Sequence, residues 1–137
     1  MYQGKEVLTI SGFGGRHQIT HVFMENGTGK APLSALGSET FWSGSYETRG
    51  TLKYFDFANT SLRIINNQAF QGCVLDANLL EMDSLKDLFY VGDAAFNAGI
   101  RIHEPTTIIL PSSIKCVKQG AFNYLDASNA AISQSVL

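Results

Sequence analysis

Apolar positions along this chain return at a fixed interval. Phe70, Phe96 and Phe122 lie 26 residues apart, each preceded by an alanine: Ala69, Ala95 and Ala121. Five positions before each Phe stands a β-branched residue, Ile65, Val91 or Val117, and three before that Leu62, Leu88 or Ile114. A period of ~26 residues marks a supersecondary unit that cannot close a core alone and lays its inner face on the next copy. A Phe at one place in every unit then forms a column, each ring burying area worth about 1.5–3 kcal/mol. The preceding Ala lets the backbone turn closely beneath that ring, in a short helical or 3-10 turn.

Each copy has an apolar stretch upstream: "LKYFDF" (52–57), "LLEM" (79–82) and "TTIIL" (106–110). Alternation in the first and apolar or β-branched content in the others predict short strands. The distance from strand to Phe varies by a residue or two while the block itself stays fixed. Loops that drift around a ladder kept in step are the mark of stacked repeats. The pattern therefore predicts an α+β repeat solenoid: a short array of about three ~26-residue coils with a β-rich N-terminal cap. The cap covers 1–51, where "EVLTI" (6–10), "QITHVFM" (18–24) and "TFWSGSY" (40–46) read as strands, with "SGFGGR" (11–16) a Gly-rich turn and "ENGTGKAP" (25–32) a loop. The array covers 52–137 and ends in an incomplete coil, "YLDASNAAISQSVL" (124–137). Three outcomes are open for that end: it folds back as a cap, the chain is a piece of a longer one, or a partner or second copy covers it.

"LPSSIKCVKQGAFN" (110–123) resembles the BspA-like leucine-rich repeat family, whose units read Ile-x-Ile-Pro-x-x-Val-x-x-Ile-x-x-x-Ala-Phe-x-x-Cys. The resemblance implies that Ile108 and Leu110 are strand core positions and that Pro111 closes the strand. Ile114 and Val117 become the linking apolar positions, with Ala121-Phe122 the turn. In the first copy Phe55, Phe57, Leu62, Ile65, Ala69 and Phe70 match, and Cys73 falls on the family's Cys. The second copy departs, with Asp83 or Ser84 in place of Pro and no Cys after Phe96. Residues ~52–125 are covered, and for function the resemblance implies only a recognition scaffold, as in a bacterial surface adhesin.

Composition narrows the classes. With 137 residues, 45% hydrophobic and 16% charged, the chain is one domain of ordinary globular make-up. A net charge of −2, with only Lys115 and Lys118 as a near-cluster, gives no electrostatic case for nucleic acid or an anionic membrane. No stretch approaches the roughly 18 apolar residues of a membrane span, and the N-terminus lacks the apolar core of a secretory signal. The expected location is soluble: cytoplasm, virion, or a trimmed surface protein. Cys73 and Cys116 are expected to be free thiols.

Candidate chemistry is sparse. "SGFGGR" lacks the Gly-Lys-Ser/Thr ending of a phosphate loop. His17 and His21 are four apart, but the metalloprotease form needs a glutamate where Gln18 stands, and His103 is distant; no metal is expected. Glu81, Asp83, Asp87 and Asp93 read as solvated acids rather than a glycosidase pair. No nucleophile elbow and no Cys-His pairing appears, so no catalytic residue and no cofactor are expected. Asn26-Gly27-Thr28 and Asn59-Thr60-Ser61 are formal glycosylation sequons.

The surface candidates are Trp42, able to anchor a partner or seal the cap, and the outward strand positions Tyr54, Asp56, Glu81, Thr107 and Ile109, which alternation places on one face. The expectation is a non-enzymatic scaffold for protein binding or assembly, with a protein partner or a second copy as ligand. A structural component of a phage virion, or an adhesin fragment binding host protein or glycan, are the alternatives.

Overall fold

The computed structural model describes residues 8–10, 12–13, 19–24, 32–43, 50–102, 106–123 and 130–134. Eleven short strands are described: β1 (Leu8–Ile10), β2 (His21–Val22), β3 (Leu33–Leu36), β4 (Tyr54–Phe55), β5 (Ile64–Ile65), β6 (Leu75–Asp76), β7 (Tyr90–Val91), β8 (Ile100–Arg101), β9 (Thr106–Leu110), β10 (Cys116–Val117) and β11 (Ala130–Gln134). All described pairings are parallel. One five-stranded sheet runs β1-β3-β5-β7-β10, beside the pairs β2-β4, β6-β8 and β9-β11.

This corrects the expected architecture. The α+β repeat solenoid of about three leucine-rich-repeat-like coils, closed by a β-rich cap, is not what forms. The domain is small and mostly parallel β-sheet, and its described helical residues are confined to short 3-10 turns at Phe57–Asn59, Ala77–Leu79 and Met82–Ser84. β1 and β3, both within 1–51, are members of the five-stranded sheet. "LLEM" is not a strand. The Asp76 carboxylate accepts from the Asn78 N–H at 2.9 Å, turning the chain directly after β6, so Leu79 ends one 3-10 turn and Met82 begins the next. "TTIIL" does form β9, while "LKYFDF" and "QITHVFM" contribute only two strand residues each. Parts of "EVLTI", "TFWSGSY" and the C-terminal stretch lie outside the described residues.

The fixed spacing inside each block has a main-chain cause. The N–H groups of Gln68, Phe70 and Gly72 donate to the carbonyls of Asp93, Ala95 and Asn97 at 2.9, 2.7 and 3.0 Å. Those of Ala94, Phe96 and Ala98 donate to Gln119, Ala121 and Asn123 at 3.1, 2.7 and 2.8 Å. One residue inserted within a block would unpair the rest of its row, whereas length between blocks is free: the same row joins Glu39, Phe41 and Ser43 to Asn67, Ala69 and Gln71 at 2.9, 2.8 and 2.9 Å across a longer interval. Side chains follow the backbone: Phe70 stacks on Phe96 at 5.1 Å between centroids and Phe96 on Phe122 at 5.2 Å. The column continues to Phe41, 5.5 Å from Phe70, and to Phe13, 5.4 Å from Phe41. Ile65 and Val91 are buried in adjacent strands, but Val117 is 42% exposed, since it sits on the sheet's edge strand.

Each turn beside the column uses a left-handed backbone. Glu39, Gln68 and Ala94 have φ of 59°, 58° and 54°, and Gly120 occupies the next such place at 69°. L-residues pay about 1–2 kcal/mol there, glycine almost nothing. Ala94→Gly is therefore expected to stabilise by about 0.5 kcal/mol after the greater freedom of glycine in the unfolded chain is subtracted, and Gly120→Ala to lose at least about 1 kcal/mol. Urea midpoints of the two variants check this. Two shifts of the same sign would contradict it.

Candidate functional site

β2 and β4 run side by side with His21 opposite Tyr54 and Val22 opposite Phe55. Phe55 points inward and is buried, so Tyr54 faces outward. His21 and Phe23 are separated by one residue, Val22, which places both rings on that outer face. His21 and Phe23 are offset-stacked at 6.1 Å and 10°, Phe23 and Tyr54 tilt at 5.5 Å and 45°, and His21 and Tyr54 lie 6.2 Å apart. Phe23 is 70% exposed, the most exposed of the large apolar side chains described. Rings packed on one another without being covered form an aromatic platform rather than a core.

Carboxylates stand under and beside it. Asp56, the residue before the Phe57–Asn59 turn, accepts from Asn59 Nδ2 at 2.8 Å and from the Met24 N–H at 3.3 Å. The Met24 bond ties the β4 end to the segment carrying Phe23. Burial, the Asp56 charge, the more distant Glu81 charge and a hydrogen bond donated by the hydroxyl to Asp56 raise Tyr54 above its ordinary 10.0. Each of these favours the neutral phenol. The unfolded chain ionises Tyr54 at about 10.0 while the folded chain holds the proton to higher pH. The associated stability is thus present below pH 10.0 and lost as pH rises through the folded value. Tyr54→Phe is expected to flatten the loss of stability above that pH; an unchanged slope would remove the coupling.

Of the six candidates from the sequence, the structure brings Tyr54, Asp56 and Glu81 together. Asp56 does not line the surface as alternation suggested. It is 6% exposed, because the 3-10 turn that follows directs its carboxylate into local hydrogen bonds. Thr107 and Ile109 are exposed on β9 and border a different feature, an open depression with Leu80, Met82 and Asp83. Even with its mouth included it holds about 280 Å3, less than the ~300–1,000 Å3 of a small-molecule pocket. Trp42 is exposed in the turn after β3, whose neighbours Phe41 and Ser43 bond to 69–71, so it belongs to a different element from Tyr54.

Comparison with family models, with curated proteins and with solved structures finds no match in any of the three. Only the protein's own surface therefore bears on its function. Among the described residues no cluster of three or more His, Cys, Asp or Glu is placed to hold a metal, and no helix is long and apolar enough to cross a membrane. His17 and His103 lie outside the described residues. Glu81, Asp83, Asp87 and Asp93 are exposed. Cys73 and Cys116 are not joined in a disulfide; Cys73 is buried and donates to the Phe41 carbonyl at 3.2 Å, a packing role.

Sequence reasoning did not name His21 or Phe23 as site residues. By sequence His21 reads as an ordinary surface or capping histidine, and Phe23 as one apolar position in a strand. The available signal was the His-x-Phe spacing, which sets two rings on one face of a strand.

Proposed function

We propose that this protein is a non-enzymatic binding module whose β2–β4 face engages a protein partner. The observation that carries this reading is the exposed Phe23 ring, held between His21 and Tyr54 and backed by the fixed Asp56. Burying a ring of that size offers about 1.5–3 kcal/mol, the scale of an interface anchor. Its neighbours are already ordered by stacking and hydrogen bonds, so little side-chain entropy remains to be lost on association.

The test is positional crosslinking in the producing cells. A photoreactive residue replacing Phe23 is expected to give a discrete protein adduct, and one replacing Val117, on the far edge of the sheet, is expected to give none. Adducts from position 117 only, or none from either, overturn the reading.

A further inference from the structure

If the β2–β4 platform is a docking face, as proposed, its charge character narrows the partner. Aromatic faces carry negative potential, and a guanidinium or ammonium within about 6 Å of a ring centroid is attracted to them. Here the Phe23 and Tyr54 rings pack at 45° with His21 beside both, and Phe23 is 70% exposed. The fields of Asp56 and Glu81 both reach the Tyr54 hydroxyl. Asp76 lies on the next strand, where its N–H donates to the Lys53 carbonyl at 2.9 Å. Its carboxylate accepts from the Asn78 N–H at 2.9 Å.

The described cations nearby are few. Lys53 is exposed beside Tyr54, and Arg101 stands opposite Asp76 in the β6–β8 register, one strand farther from the rings. Three carboxylates against Lys53 leave the described platform acidic as well as aromatic. An apolar anchor would gain nothing from those carboxylates, and an acidic one would be repelled by them.

We propose that this face docks a basic segment of the partner protein, with an arginine or lysine side chain lying on the Phe23 and Tyr54 rings and its charge toward Glu81. The alkyl stem covers the exposed Phe23 edge while the head group reaches toward the exposed Glu81 through the field of the buried Asp56, so one side chain satisfies both parts of the surface. Arginine is favoured, since its planar fork stacks on a ring and still donates in its own plane.

The experiment uses the whole chain and an acetylated hexa-arginine peptide, followed by the ring proton shifts of Phe23 and Tyr54. Saturable shifts are expected in both rings, with affinity lowered about fivefold by Phe23→Ala and by Glu81→Gln. Phe23 is exposed enough that its truncation leaves the fold intact, and an unchanged backbone spectrum confirms that. A hexa-glutamate peptide and a neutral oligosaccharide are expected to shift neither ring. Undiminished hexa-arginine binding to Phe23→Ala, absent ring shifts, or ring shifts with the oligosaccharide alone would overturn the proposal. A protein adduct from position 23 without hexa-arginine binding sinks this inference and leaves the docking role standing.

Discussion

Phe96→Ala is expected to cost about 3–5 kcal/mol, among the largest single losses available in this chain. The ring is fully buried and lies between Phe70 and Phe122, at 5.1 and 5.2 Å, with interplanar angles of 14° and 4°. Removing it takes away the transfer term and leaves a cavity that main-chain bonds on both sides prevent from closing. The Phe96 N–H is tied to Ala121 at 2.7 Å and Ala95 accepts from Phe70 at 2.7 Å. Phe122→Ala should cost less, because Phe122 is only partly buried. Urea denaturation of the pair checks the ordering; equal small losses would contradict a stacked column.

Gly92→Ala is expected to be comparably severe for a different reason. A methyl at this position would lie 2.6 Å from the Asn67 backbone nitrogen and 2.8 Å from the Asn66 carbonyl carbon. Neither can give way cheaply, since the Gly92 N–H is bonded to Ile65 at 2.8 Å and the Asp93 N–H to Asn67 Oδ1 at 3.0 Å. Overpacking against fixed backbone costs about 3 kcal/mol. Gly12→Ala makes the control: nothing lies within 4 Å of its would-be methyl, so only the φ of 89° is strained. That change should cost about 1–2 kcal/mol. A Gly92→Ala variant no less stable than Gly12→Ala would show that the two neighbouring stretches are not held this closely.

How much of the fold was legible depended on whether spacing and burial agreed. Ala69-Phe70, Ala95-Phe96 and Ala121-Phe122 could be found because all three copies keep the Ala-Phe pair and fall 26 residues apart. Phe13 and Phe41 belong to the same column but lie 28 and 29 residues before the next ring, and Gly12 and Thr40 precede them instead of Ala. Thr40 is fully buried, with its hydroxyl donating within reach of Gly37 and Ile10 carbonyls at 2.6 and 3.1 Å, so a polar residue fills the place of a methyl. That substitution hid the place of Phe13 and Phe41 in the column. At the candidate site, strand alternation found Tyr54. It misplaced Asp56, because a 3-10 turn begins at the next residue and period-2 reasoning ends there. His21 and Phe23 required knowing that β2 lies beside β4, and no local pattern encodes that pairing.

The His21–Phe23–Tyr54 face is proposed as the place where this protein meets its partner, and one comparison tests that most directly. It is the affinity of the crosslinked partner, once purified, for the wild type, Phe23→Asp and Trp42→Asp. Phe23 and Trp42 are both exposed aromatics, but only Phe23 is packed into the β2–β4 platform. Phe23→Asp is expected to weaken binding about thirtyfold, the scale of a hot-spot loss, while Trp42→Asp leaves it unchanged. Loss of affinity in Trp42→Asp with none in Phe23→Asp would contradict the proposed face.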